Sequence, residues 1–337
     1  MIHSQISNIS IYLPQNKLTN AMLQSEFPDL KIKELTRLTG VFSRGIADEN
    51  ETSLDMAVQA AKALFSENEV SKSAIDFVIF CSAGGDYITP ASACIIQDKL
   101  GISQQCGAFD FNQGCTGYIY GLSLADSLIK AGNASRILLL TSETITKTIH
   151  PKDKTNRAIF GDAATASLIQ VSSDGSKMGK FVFGTDGSRF DQIIIKQGRE
   201  RFPLPQFAED DFLDDFGNVR NHANFYMNGA EVFNFSVAKA PELVNTLLEE
   251  SNLVLDDIDL FVFHQANQII LETIGRKLKI SQEKIVIELE NTGNTVSSTI
   301  PIALQKAIET GKCKRGDKIL IAGFGVGFSW GGTIINF

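Results

Sequence analysis

Phe109-Asp-Phe-Asn-Gln-Gly-Cys-Thr-Gly117 is the stretch on which the reading of this chain turns. Residues 108–111 form a short apolar run of strand character. The run breaks at Gly114, and helical spacing starts at once over 116–131. A strand that turns directly into a helix is the building unit of a layered α/β protein. Cys115 stands in the turn, where the positive end of a helix and free backbone N–H groups favour thiolate over thiol. The expectation is a nucleophilic cysteine of lowered pKa.

Outward from this turn the same alternation continues. The sequence predicts helices over 53–66, 91–100, 230–250, 268–278 and 296–309, with the third broken near Pro241. Strands are predicted over 77–81, 136–141, 260–264, 284–289, 318–322 and 332–337. One internal echo stands out. Gly114-Cys115 and Gly293-Asn294 each follow a strand and open a helix. Cys115 precedes the closing Gly132 by 17 residues, and Asn294 precedes Gly311 by 17. Two such units point to a duplicated α/β fold, with a first half at 1–175 and a second at 176–337, and a site at their junction. The segment 199–224, with Pro203, Pro205 and the acidic run Glu209-Asp-Asp-Phe-Leu-Asp-Asp215, reads as a long surface loop. Both a cover for a ligand entrance and a plain connector fit it.

Composition removes several classes. The chain has 337 residues, a formal charge of −8, and 43% hydrophobic and 21% charged residues, which is ordinary globular make-up. The negative charge argues against nucleic acid as a partner. No apolar run approaches the roughly eighteen residues of a membrane span, and the first residues lack a signal-peptide pattern, so the expected location is cytoplasmic. The five cysteines Cys81, Cys94, Cys106, Cys115 and Cys313 are odd in number and include no C-x-x-C pair. Neither a disulfide framework nor a thiolate metal site is indicated. Basic residues cluster at Lys152/Lys154/Arg157 and at Arg276/Lys277/Lys279, which on charge alone read as solvated faces.

Three further segments carry polar residues at strand ends. His264, in Leu260-Phe-Val-Phe-His-Gln-Ala-Asn267, falls at the C-terminal end of a strand, where open α/β sheets bind ligands. A structural histidine fits there as well. Asn294, in Glu290-Asn-Thr-Gly-Asn-Thr-Val-Ser297, falls at a helix start, where asparagine also serves as a cap. Gly323-Phe-Gly-Val-Gly-Phe-Ser-Trp-Gly-Gly332 contains apparent dinucleotide-loop and G-x-S-x-G patterns. Both need a following helix, and too few residues remain for one. What is left is a glycine-rich turn whose amides can approach a ligand and suit an oxyanion hole.

Together these motifs resemble the β-ketoacyl-acyl-carrier-protein synthase III family of the thiolase superfamily. Cys115 in Asn-Gln-Gly-Cys-Thr-Gly, His264 in His-Gln-Ala-Asn and Asn294 in Gly-Asn-Thr-Val-Ser-Ser-Thr-Ile-Pro301 match the family's catalytic triad. Phe160-Gly-Asp162, Met227-Asn-Gly-Ala-Glu-Val-Phe233 and the glycine-rich tail add to the match. The resemblance implies a five-layered α-β-α-β-α fold of two similar halves, typically a homodimer. It implies an acyltransferase that uses no metal, flavin or nucleotide cofactor. Its substrates would be acyl-CoA or acyl-carrier thioester and a malonyl-carrier thioester, and its partner an acyl carrier protein. Cys115 would take the acyl group, the N–H groups of Cys115 and Val326 would hold the oxyanion, and His264 and Asn294 would assist decarboxylation of the malonyl group. Phe324 would screen the site from water.

The resemblance also marks substrate contacts at Thr89, Arg37, Lys154 and Asn267, and gives Arg276/Lys277/Lys279 a second reading as a carrier-protein patch. Several family features are altered. The stretch Lys33-Glu-Leu-Thr-Arg-Leu-Thr-Gly40 lacks the tryptophan that stacks on coenzyme A adenine, and Ile269 replaces a frequent arginine. A weakened coenzyme A grip is therefore expected, with the primer delivered on an acyl carrier protein or as an unusual thioester. Thr89, where short-chain members often carry Phe, predicts room for acyl groups longer than acetyl. An acyltransferase on the same scaffold, acting on a hydroxyl or amine without decarboxylation, is the alternative. A silent partner subunit and a thiolase fit less well: the three residues are intact, and Cys313 precedes the glycine turn.

Overall fold

Each half of the chain repeats one order of elements. In the computed structural model, which describes residues 2–204, 210–214 and 217–337, the first half runs β1 (Ser4–Tyr12), α1 (Ser53–Glu67), β2 (Phe77–Cys81), α2 (Ser92–Leu100), β3 (Gly107–Phe111), α3 (Gly117–Lys130), β4 (Arg136–Glu143) and β5 (Ala163–Val171). The second runs β6 (Lys177–Thr185), α4 (Gly229–Ser251), β7 (Leu260–Phe263), α5 (Gln268–Leu278), a stretch at 285–289, α6 (Thr299–Glu309), β8 (Lys318–Gly325) and β9 (Ser329–Asn336).

The sheets match in strand order, except that β3 has no full strand as its counterpart. The first has the order β1-β5-β4-β2-β3 and the second β6-β9-β8-β7. In both, the outer two pairings are antiparallel and the β4–β2 and β8–β7 pairings are parallel. The counterpart of β3 is the 285–289 stretch. It makes one parallel bridge, Ile285 to Phe261, and is not the full strand expected over 284–289. The start of that expected strand is instead a turn of 3₁₀-helix, Gln282–Lys284.

Five layers result. Helices α1 and α2 cover the outer face of the first sheet, α3 and α6 lie between the sheets, and α4 and α5 cover the second sheet. The central helices are apolar on both sides because they touch both sheets; Ile119, Leu122, Ile300, Ala303 and Leu304 are all fully buried there.

Two expectations change. The helix containing Pro241 is unbroken from Gly229 to Ser251. Proline removes the N–H that would bond the carbonyl of Val237. Lys277, from the adjacent α5, donates its ammonium to that carbonyl at 3.0 Å, so the orphaned acceptor is satisfied. The helix expected over 296–309 begins as a 3₁₀ turn, Val296–Ser298, before α6. Val296 has φ +55°, a left-handed conformation that is costly for a β-branched residue.

The expected surface loop over 199–224 carries a short two-stranded ribbon, Phe212–Leu213 with Val219–Arg220. Its residues 205–209 and 215–216 lie outside those described, and with them Glu209 and Asp215 of the acidic run. Among the described residues, no helix is long and apolar enough to cross a membrane.

Candidate active site

The duplication brings the site together. Cys115 lies between β3 and α3, and Asn294 lies in the equivalent turn before α6; these two helices are the middle layer. His264 follows β7 directly and is tied to the next strand by its backbone N–H, which donates to the Ala322 carbonyl at 2.8 Å. Cys115, His264 and Asn294 all line one cavity of about 820 Å³, together with Asn267, Phe324, Gly325 and Val326.

Cys115 is 8% exposed. The backbone N–H of Val326 is directed at its sulfur, which favours the thiolate, but loss of water on burial is the larger effect and pushes the thiol up to about 11. The buried Glu143 carboxylate, where ionised, adds to the same direction. This corrects the expected lowered pKa. The helix end is present, but a charge there has exchanged bulk water for an apolar wall, and the resting residue is a thiol. The glycine-rich tail is a β-hairpin in which Phe324 pairs with Trp330. Its glycines are required by contact: a Cβ on Gly325 would stand 2.6 Å from the Cys115 sulfur.

His264 is 2% exposed, and burial alone takes its pKa down to about 3, so the imidazole is neutral. Its Nδ1 lies 2.7 Å from Thr299 Oγ1. The Phe324 ring meets the imidazole edge to face, with centroids 6.0 Å apart. Asn294 is held by its backbone: its N–H donates to Ile159 and its carbonyl accepts from Gly161. The side-chain Oδ1 accepts from the Val296 N–H at 2.9 Å, while Nδ2 has only a long contact of 3.5 Å with the Ala266 carbonyl. The carboxamide oxygen is thereby occupied and the amide N–H groups stay available.

Other expected residues fall into different places. Asn267 lines the cavity, but its Oδ1 caps α5 by accepting from the Ile270 N–H. Thr89 does not line the cavity of its own chain. It lies on an exposed loop, 83–90, between β2 and α2, with Tyr87 and Ile88 also exposed. The direct pocket contact expected of it is absent within one chain. Arg37 is exposed on the helix Ile32–Thr39, which packs against α5, and is not a lining residue. Lys154 opens the short helix Lys154–Arg157, whose Thr155 and Asn156 line the cavity while Lys154 does not. Arg276 and Lys279 are exposed at the end of α5, with Arg276 bonded to Thr273. Lys277 is exposed as well and gives one of its three ammonium N–H groups to the Val237 carbonyl.

Three residues were not singled out by sequence. Glu143 ends β4 fully buried, accepts from the Ala83 N–H and from Ser297 Oγ at 3.0 Å, and is pushed up to about 8, mainly by burial. Ser297 and Thr299 lie inside the asparagine motif but carried no separate signal. Only the acid at the end of an apolar strand, in Thr-Ser-Glu143, could have drawn notice.

A duplicated five-layered α/β body that brings a buried thiol from one half against an imidazole and a carboxamide from the other defines a thiolase-like acyl-transferring enzyme. Two family models match, the 3-oxoacyl-[acyl-carrier-protein] synthase III model over residues 109–187 and its C-terminal model over 248–337. The chain belongs to the 3-oxoacyl-[acyl-carrier-protein] synthase III family and is an acyltransferase of that type. It is 36% identical to the β-ketoacyl-[acyl-carrier-protein] synthase III of Clostridium perfringens over 336 residues, covering all of both chains. It is 33% identical to that of Fusobacterium nucleatum, covering 98% of each. A crystal structure of a 3-oxoacyl-(acyl-carrier-protein) synthase III superimposes with a TM-score of 0.97 at 42% identity, covering 99% of this chain and 100% of the other.

Proposed function

We propose that Cys115, His264 and Asn294 carry out acyl transfer followed by decarboxylative condensation. The observation that supports this most is their convergence on one cavity from the two halves of the molecule. In the first step the Cys115 sulfur attacks the carbonyl of an acyl-CoA or acyl-carrier thioester. The carbon–sulfur bond to the carrier breaks, and the cysteine proton leaves with the departing thiolate. The backbone N–H groups of Cys115 and Val326 stabilise the oxyanion.

A malonyl-carrier thioester then enters. His264 and Asn294 donate hydrogen bonds to its thioester oxygen. The bond to the carboxylate breaks, CO2 leaves, and the electron pair moves toward that oxygen. The enolate carbon attacks acyl-Cys115, giving a 3-oxoacyl thioester. The released thiolate takes a proton from solvent, in keeping with its raised pKa. A neutral histidine suits a donor to an enolate in an apolar site, and Phe324 keeps water from the enolate. No step calls for a metal, flavin or nucleotide cofactor.

The division at 175/176, an acyl carrier protein as partner and a homodimer belong to the same reading. The edge of β3 has no neighbouring strand among the described residues, and the nearby loop exposes Tyr87 (63%) and Ile88 (87%); a second copy would cover both. Through such an interface Thr89 could reach the acyl end of the partner's cavity. Arg37, Lys154, Asn267, Arg276, Lys277 and Lys279 remain proposed contacts for the carrier or its arm. Five unpaired cysteines suit a reducing, cytoplasmic setting.

The test separates the two steps. His264→Gln and Asn294→Ala are expected to acylate Cys115 at near the parental rate but to release CO2 from malonyl-carrier thioester about 10²–10³-fold more slowly. Unchanged CO2 release in both variants would remove these residues from the reaction.

A further inference from the structure

The imidazole of His264 is neutral and so carries one ring proton, on Nδ1 or on Nε2. Only the second tautomer offers an N–H to an oxygen in the cavity. The choice is set on the far side of the ring, where Nδ1 meets Thr299 Oγ1 at 2.7 Å. Thr299 has a single hydroxyl proton and two acceptors for it, His264 Nδ1 and the Val296 carbonyl at 3.0 Å. Those acceptors are not equivalent. The Val296 carbonyl already accepts the backbone N–H of Thr299, whereas Nδ1 meets no other donor among the described residues.

We propose that Thr299 is a positioning residue that fixes the tautomer of His264. Its hydroxyl donates to Nδ1, leaving the ring proton on Nε2, toward the reacting oxygen. If the hydroxyl instead turned to the Val296 carbonyl, Nδ1 would hold the proton and Nε2 would present a lone pair to the developing enolate. Thr299 therefore acts on the decarboxylation step alone, with no proton transferred. Its place is itself secured: Thr299 is the first residue of α6, and the strained Val296 peptide before it is held by Asn294 Oδ1 on one side and by Thr299 on the other. One short segment, 294–299, thus orients both proposed donors.

The inference rests on the donor role proposed for His264, and the test distinguishes the two. Thr299→Val keeps the shape and removes the hydroxyl; Thr299→Ser restores it. Thr299→Val is expected to slow CO2 release from malonyl-carrier thioester roughly 10–100-fold, with Cys115 acylation unchanged by intact mass. Thr299→Ser should return most of that rate. Nitrogen-15 spectra, with His264 assigned by comparison with His264→Gln, should show the Nε2–H tautomer in the parent and lose it in Thr299→Val. In the His264→Gln background, Thr299→Val should add little. A parental rate in Thr299→Val beside a slow His264→Gln overturns the inference alone. So does an Nδ1–H tautomer in the parent, or an equal loss from Thr299→Val in the His264→Gln background. A parental rate in His264→Gln overturns the donor role itself.

Discussion

Glu143→Gln tests how the interior behind the nucleophile is held. The carboxyl is buried, and its pKa rises from the usual 4.5 to about 8. Desolvation is the main cause; the Ala83 N–H and Ser297 hydroxyl oppose it without cancelling it. A carboxyl raised in this way binds its proton more tightly folded than unfolded. Between pH 4.5 and 8 the folded state therefore carries more protons than the unfolded state, and stability falls as pH rises. The full interval amounts to about 5 kcal/mol at 1.36 kcal/mol per pH unit. For a chain of this length that is about 7 °C in Tm. Gln keeps the size and an oxygen to accept from Ala83 and Ser297, but cannot ionise. Scanning calorimetry from pH 5 to 9 should show the Tm of Glu143→Gln rising relative to the parent across this window, then levelling above about pH 8. A constant difference in Tm between the two proteins would show that Glu143 ionises normally and refute the reasoning.

Gly325→Ala places a methyl group 2.6 Å from the Cys115 sulfur; displacing the nucleophile by this much should slow its acylation about 10²-fold, read by time-resolved intact mass. Lys277→Met leaves the Val237 carbonyl without its donor and should lower stability in urea by about 1 kcal/mol. Lys279→Met, at an exposed helix end, should stay within about 0.5 kcal/mol of the parent. Equal effects from the two lysines would mean that the contact to Val237 contributes nothing.

What could be read from the sequence depended on how local its cause was. Phe77–Cys81 and Gln268–Leu278 have the bounds expected of them, because an apolar run and a 3.6-residue period with an asparagine cap are local signals. The strands Ser4–Tyr12 and Ala163–Val171 gave no clear signal. Their buried Ser4, Ser10, Thr165 and Ser167 look like surface residues until their partners are known. Ser4 bonds Asp126, and Ser167 bonds Tyr118. Pro241 was expected to break its helix, but the ammonium that satisfies Val237 arrives from a helix 40 residues along the chain.

The cysteine and asparagine turns were legible because the duplicated unit repeats their context, and the histidine because it ends an apolar strand. The thiol's raised pKa was not. A helix end belongs to the local sequence, whereas desolvation belongs to the walls that the hairpin at Gly325 and the opposite half complete. Glu143 was hidden for the same reason: Ser297, which bonds it, is 154 residues away.

The most direct measurement is intact-mass and peptide analysis of the protein after exposure to an acyl thioester, followed by addition of malonyl-carrier thioester. A single acyl adduct on Cys115, discharged into a 3-oxoacyl product as CO2 appears, is the predicted result. An adduct on another residue, or parental 3-oxoacyl formation by Cys115→Ser with no adduct at all, would contradict the account.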